Sequence, residues 1–100
     1  MNWHVYIILC SDGSLYTGIT TDPLRRFHEH ANGRGAKYFR GRQALRVVYL
    51  ENDHTRSTAG KRELKIKELT HADKCILVTN FGKGGFQELT PEPELVPKLT

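Results

Sequence analysis

Long apolar runs are missing from this 100-residue chain: none approaches the ~18 residues that a membrane span requires. Cysteine is scarce. Cys10 and Cys75 are the only two, too few for a disulfide framework, and neither has the C-x-x-C spacing of a structural zinc site. The first residues, Met1-Asn2-Trp3-His4, carry no cationic segment ahead of an apolar stretch, which argues against a secretory signal. Internal repeats and linkers are absent as well. These absences lead to the expectation of a cytoplasmic protein without a membrane partner. What is present is an ordinary globular composition, 38% hydrophobic and 26% charged, in a length that holds one core and not two. A domain this small buries only roughly 60–65% of its unfolded surface, so any site lies at or just beneath the surface.

The net charge of +4 is unevenly spread. Between Arg25 and Arg46 seven cations (Arg25, Arg26, Arg34, Lys37, Arg40, Arg42 and Arg46) face a single anion, Glu29. From Gln87 to Thr100 the sign reverses, with Glu88, Glu92 and Glu94 against Lys98. A basic stretch with glycines (Gly33, Gly35, Gly41) and aromatics (Tyr38, Phe39) suits a flexible loop lying along phosphates. It suits a solvated loop that keeps the protein soluble equally well.

Residues His4 to Cys10 are rich in Val, Ile and Tyr and apolar throughout, as expected of a strand covered on both faces. Asp12-Gly13 signals a turn, and Leu15 to Thr20 reads as the returning strand. Gly18 within that strand implies a close approach to the backbone. Asp22 as N-cap, Pro23 at the first helical position and Gly33 as a stop outline a helix. Its apolar stripe is Leu24, Phe27 and Ala31, and Arg26 and His30 share one face. A third strand is expected over Leu45 to Leu50, and a second helix from between Asp53 and Thr58 to about Leu69. Thr70 and Asp73 open a third helix whose apolar positions are Ala72, Cys75, Ile76 and Thr79 and whose stop is Gly82. The order β-β-α-β-α-α predicts a small α/β domain, a three-stranded antiparallel sheet flanked by helices, over residues 1–86. Pro91, Pro93 and Pro97 mark residues 87–100 as a tail, expected to be mobile.

Several residues have chemistry to offer. On a helical wheel Glu63 falls about 40° from Ala59 and close to the stripe of Ile66 and Leu69. A carboxylate there either snorkels to Arg62 or Lys67, or binds a hard divalent cation such as Mg²⁺. Tyr6 and Tyr16 lie on the two strands of the hairpin, and Arg26 and His30 follow on the next helix. Each has a structural explanation when taken alone. Together, two phenols, a guanidinium, an imidazole and a carboxylate beside a basic loop form a set suited to phosphodiester cleavage.

Val5-Tyr6-Ile7 followed by Tyr16-Thr17-Gly18 resembles the paired signature of the GIY-YIG nuclease superfamily, with Arg26, His30 and Glu63 in the family's order. The chain is most similar to its small stand-alone bacterial members of the YhbQ type. The likeness runs to about Phe86 and includes Leu15 to Asp22 and Gly35-Ala36-Lys37. Val5 stands in place of the first glycine of the pattern and Thr17 in place of its second isoleucine. Asn80 lies too far from Glu63 to match the asparagine some members carry.

The resemblance implies a metal-dependent endonuclease acting on nucleic acid, DNA before RNA, that chooses its substrate by structure (nick, flap, branch or abasic site) or hardly at all, and that is related to repair and recombination. By that likeness Tyr6 and Tyr16 are active-site tyrosines, one of which activates the attacking water. Arg26 stabilises the phosphorane, and His30 assists deprotonation or steers the phosphate. Glu63 anchors a single Mg²⁺ (or Mn²⁺), and Gly18 keeps the site uncrowded. Arg25, Arg34, Lys37, Arg40 and Arg42 are the expected nucleic-acid contacts. The protein would work as a monomer or a weak dimer. The competing expectations are a nucleic-acid-binding module that cuts slowly or not at all, and a basic interaction protein unrelated to nucleic acid. Register supplies a physical test. A two-residue turn at Asp12-Gly13 would set Tyr6 opposite Ile19 and put the phenols on opposite faces. A shared site needs a three- or five-residue loop, or a bulge.

Overall fold

The computed structural model describes residues 1–83; the expected domain end at 86 and the tail at 87–100 lie outside the described residues. Strand β1 (Trp3–Cys10) is apolar from Val5 onward because it is central. It pairs antiparallel with β2 (Leu15–Thr20) on one side and β3 (Ala44–His54) on the other. Side chains alternate between the faces of a strand. One face carries Tyr6, Ile8 and Cys10 into a cluster with Phe39, Ala44 and Val47, and the other carries Val5 and Ile7 against Tyr49, Ala59 and Ile66. The three helices of the described residues cover the sheet from both sides.

Helix α1 (Pro23–Ala31) starts where Asp22 accepts the Arg25 N–H at 3.1 Å. It ends in a Schellman turn: Gly33, at φ +79°, donates to the His30 carbonyl and Arg34 to that of Glu29. A 3-10 turn, Lys37–Phe39, follows. Helix α2 (Arg56–Lys67) is capped reciprocally by Thr55 and Thr58. Helix α3 (His71–Lys83) begins with the Asp73 N–H on the Thr70 hydroxyl. No helix among the described residues is long and apolar enough to cross a membrane.

Three expectations change. Strand β3 continues past Leu50 to His54. The polar run Glu51-Asn52-Asp53-His54 has poor strand propensity, but its backbone pairs with β1 at Val5 and Trp3, and Asn52 bonds to the His4 ring at 2.7 Å. Bulges along the β1–β3 pairing take up the extra residues. Helix α3 turns Leu77, Val78 and Phe81 toward the core, not Ala72, Cys75 and Ile76; Ile76 is 58% exposed. Phe81 meets the Tyr49 ring at 5.0 Å, and the larger side chains bury more apolar area than the stripe expected from spacing. Gly82 does not stop the helix, since glycine costs a helix only about 1 kcal/mol.

Candidate active site

The hairpin brings the two tyrosines to one face. Ser11, Asp12 and Gly13 form a three-residue loop, closed by the Gly13 N–H on the Cys10 carbonyl, with Gly13 at φ +84°. Tyr6 therefore faces Gly18, and Tyr16 faces Ile8. The rings of Tyr6 and Tyr16 stand 6.2 Å apart. Gly18 explains itself here: a Cβ would fall 2.5 Å from the Tyr6 hydroxyl oxygen. The rigid, buried phenol fills the space that any other residue would need.

Helix α1 supplies the next partners. His30 is 2% exposed, and its Nε2 lies 3.0 Å from the Tyr6 hydroxyl. The same ring packs against Tyr16 at 5.2 Å and Phe39 at 4.3 Å. Its Nδ1 accepts the Ala36 N–H at 3.3 Å. Burial, with the nearby Arg26 charge, pushes the imidazole pKa down to about 4, so the ring is neutral at pH 7. Tyr6 moves the other way. Burial and the neighbouring Tyr16 hold its phenol well above the ordinary tyrosine range, Arg26 draws it down, and Glu63 opposes that pull. Arg26 and Glu63, though distant in sequence, thus act on one phenol.

Arg26 donates to Glu29 at 2.8 Å from a side chain 33% exposed. Glu63 comes from α2, whose Ala59 and Ile66 are fully buried against the sheet. It sits at the margin of that contact, 21% exposed and 3.1 Å from Lys67. The chemistry of the donor fits a hard cation of the Mg²⁺ kind: one part-exposed carboxylate, with water and phosphate oxygens to fill the other coordination positions. Among the described residues no three His, Cys, Asp or Glu side chains gather as a cage, which is the arrangement zinc would need.

The basic loop is only partly free. Arg34, Lys37 and Arg40 are exposed and make no ion pair among the described residues. Arg25 is tied to Glu29 at 3.0 Å and to Asp22 at 3.6 Å. Arg42 is bound further in: Nε donates to Asp12 at 2.7 Å and Nη1 to the Tyr38 carbonyl at 2.9 Å, and the guanidinium lies 4.1 Å over the Tyr38 ring. The loop aromatics are structural. Phe39 is 6% exposed, and Tyr38 and Phe39 stand 5.0 and 4.9 Å from the Tyr16 ring. Tyr38, Phe39 and Ala36 thus build the wall behind Tyr16 and His30. Spacing could not reveal this, although Gly35, three residues before Tyr38, was the visible signal of a tight approach.

This geometry can be compared with known proteins. The model of the GIY-YIG catalytic domain matches residues 2–75. The UPF0213 protein DP2720 of Desulfotalea psychrophila is 48% identical over 82% of this chain and 76% of its own. A UPF0213 protein of Cronobacter sakazakii is 42% identical over 92% of this chain and 95% of its own. Among solved structures, the solution structure of the UPF0213 protein BH0048 from Bacillus halodurans is 45% identical with a TM-score of 0.54, covering 82% of this chain and 87% of that one. The E. faecalis protein EF2693 is 41% identical with the same TM-score, covering 80% and 85%. A family match over most of the chain, and relatives matched over three quarters or more of their own length, agree with the tyrosine pair, the glycine beneath it and the helix behind it: the chain belongs to the GIY-YIG family, with the small UPF0213 proteins as its relatives.

Proposed function

We propose that this protein is a metal-dependent endonuclease that hydrolyses phosphodiester bonds in DNA. The observation that carries the reading is the convergence on one buried phenol: Tyr6 bonds to His30, packs near Tyr16, lies over Gly18 and feels the charges of Arg26 and Glu63. In this reading water attacks phosphorus in line with the leaving oxygen. A tyrosine first loses its own phenol proton to solvent and, as the phenolate, takes the water proton; the bond to the leaving oxygen breaks, and solvent protonates that oxygen. Arg26, partly exposed, bonded to Glu29 and beside the Tyr6 phenol, meets the charge that develops on the phosphate oxygens while it draws the phenol toward ionisation. Glu63 would hold a divalent cation, which would supply positive charge to the phosphate and cancel the carboxylate that opposes ionisation of Tyr6. Arg34, Lys37 and Arg40 lie along the strand and position its backbone.

The test is cleavage of end-labelled branched, nicked and single-stranded DNA in Mg²⁺ and in chelator, with an RNA strand alongside. Wild type is expected to cut at least one DNA in Mg²⁺ alone. Tyr6→Phe and Glu63→Ala are expected to lose on the order of 10²- to 10³-fold, the range seen when a proton acceptor or a charge stabiliser is removed. Binding without any cleavage would favour a nucleic-acid-binding module. Variants that cut as fast as wild type would overturn the site.

A further inference from the structure

Gly35 and Ala36 are the uncharged residues at the centre of the basic loop, and both meet His30. A Cβ on Gly35 would fall 1.8 Å from His30 Nδ1, so only glycine lets the loop close over the ring. Ala36 then aims its N–H at that nitrogen from 3.3 Å. The opposite nitrogen, Nε2, faces the Tyr6 hydroxyl at 3.0 Å. A neutral imidazole has one proton for two nitrogens, and the nitrogen that accepts a backbone N–H cannot carry it. The proton is therefore on Nε2.

We infer that the Gly35–Ala36 turn fixes His30 as a hydrogen-bond donor to Tyr6, so that the histidine is a positioning residue for the phenol oxygen and not the base that removes its proton. The other tautomer would set the Nδ1–H against the Ala36 N–H and leave that part-buried donor without its partner. With Nε2–H as donor, the proton of Tyr6 points away from His30. It leaves toward the open side of the site, and the phenolate that remains keeps the histidine N–H and the Arg26 charge as its stabilisers. The expectation that His30 assists deprotonation is thereby replaced. The catalytic half of this inference rests on the nuclease reading; the tautomer does not.

Two-bond ¹H–¹⁵N correlation spectra of the full-length protein at pH 7 decide the tautomer directly. His30 is expected as the neutral Nε2–H form. An Nδ1–H form, or averaging of the two, would overturn the inference. An amide-to-ester substitution at Ala36, made by chemical ligation of the full-length chain, puts an ester oxygen in place of the N–H and so deletes one donor without placing a carbon against the ring. That variant is expected to show a tautomer mixture at His30, and an unchanged spectrum would refute the lock. In cleavage assays His30→Gln, whose amide can donate from the Nε2 position but cannot accept a proton at pH 7, is expected to stay within ~10-fold of wild type. His30→Leu is expected to fall by on the order of 10²-fold. Equal losses in the two would overturn the donor role. A wild type that cuts nothing would remove the nuclease reading alone, and the spectra would still decide the tautomer.

Discussion

Each face of the sheet buries a tyrosine beside a histidine, an arginine and a glutamate, yet the two quartets are completed in opposite ways. On the α2–α3 face, Glu51 accepts from the Tyr49 hydroxyl, from Arg62 at 2.7 Å and from His54 at 2.9 Å, and the far nitrogen of His54 meets the Thr58 hydroxyl at 2.9 Å. The circuit is closed on itself. On the α1 face, the Tyr6 hydroxyl meets His30 and the Arg26 charge, while Arg26 pairs with Glu29, and Glu63, at the margin of α2, pairs with Lys67; in the proposed reading a phosphate and a cation replace these surface partners. The same four residue types therefore make a strut in one place and a candidate site in the other. What separates them is whether the charges are satisfied by one another or by groups that can be exchanged.

Exchanging the two carboxylates breaks the comparison most strongly. Glu63→Ala removes an i,i+4 surface pair worth only about 0.3–0.5 kcal/mol, so stability should hardly move while cleavage falls on the order of 10³-fold. Glu51→Ala strands Arg62, His54 and the Tyr49 hydroxyl, and should cost about 2 kcal/mol with cleavage per folded molecule unchanged. For a domain of this size that loss lowers Tm by roughly 8–16 °C. Urea titration beside a cleavage assay reads both. A large stability loss from Glu63→Ala would mean that this quartet, too, is structural.

The asymmetry also explains which parts were legible in the sequence. Apolar runs, Asp22-Pro23 and Thr70 through Asp73 marked β1, α1 and the start of α3, because caps and burial act locally. The end of β3 was not legible, because polar Glu51 to His54 are held as strand by partners on β1 and α2. Nor was the buried face of α3, which is set by Phe81 against Tyr49 across the domain. In the site, Tyr6, Tyr16, His30, Arg26 and Glu63 were visible as side chains. The Ala36 N–H that holds His30 is backbone and has no residue-type signature. The Glu51 quartet went unnoticed because its members follow no chemical motif.

Acid should separate the two faces next. His30 is buried neutral, and its folded pKa, down to about 4, lies below the roughly 6.5 of an unfolded histidine. The unfolded chain binds the proton more readily, so this contribution is whole above pH 6.5 and is lost as pH falls toward 4. Its full size is on the order of 3 kcal/mol. Burial works against ionisation of Glu51, but the bonds from Tyr49, His54 and Arg62 outweigh it and hold the carboxyl below its usual range. Its contribution is present above the unfolded carboxylate pKa and is lost at still lower pH. Urea midpoints at pH 7, 5.5 and 4 should therefore fall for wild type and stay nearly level for His30→Leu, whereas Glu51→Gln should change the profile only below about pH 4.5. A His30→Leu profile as steep as wild type would remove His30 as the acid-sensitive element.

The smallest effect distinguishes cations within the basic loop. Arg34, Lys37 and Arg40 are exposed and free of ion pairs among the described residues, so in a DNA complex each can displace one condensed counterion. Replacing all three by alanine should flatten the plot of log affinity against log salt by up to about 2.7, at roughly 0.9 per lost phosphate contact. Folding stability should stay within about 0.5 kcal/mol, because no packed contact is removed. Arg42 lies in the same charge run but already spends its guanidinium on Asp12, the Tyr38 carbonyl and the Tyr38 ring. Arg42→Ala should leave the salt slope unchanged and cost about 1 kcal/mol, since it frees the loop from the hairpin turn. A salt slope that drops by a full contact in Arg42→Ala would show that DNA pulls this arginine away from Asp12, making the clamp itself part of the binding surface.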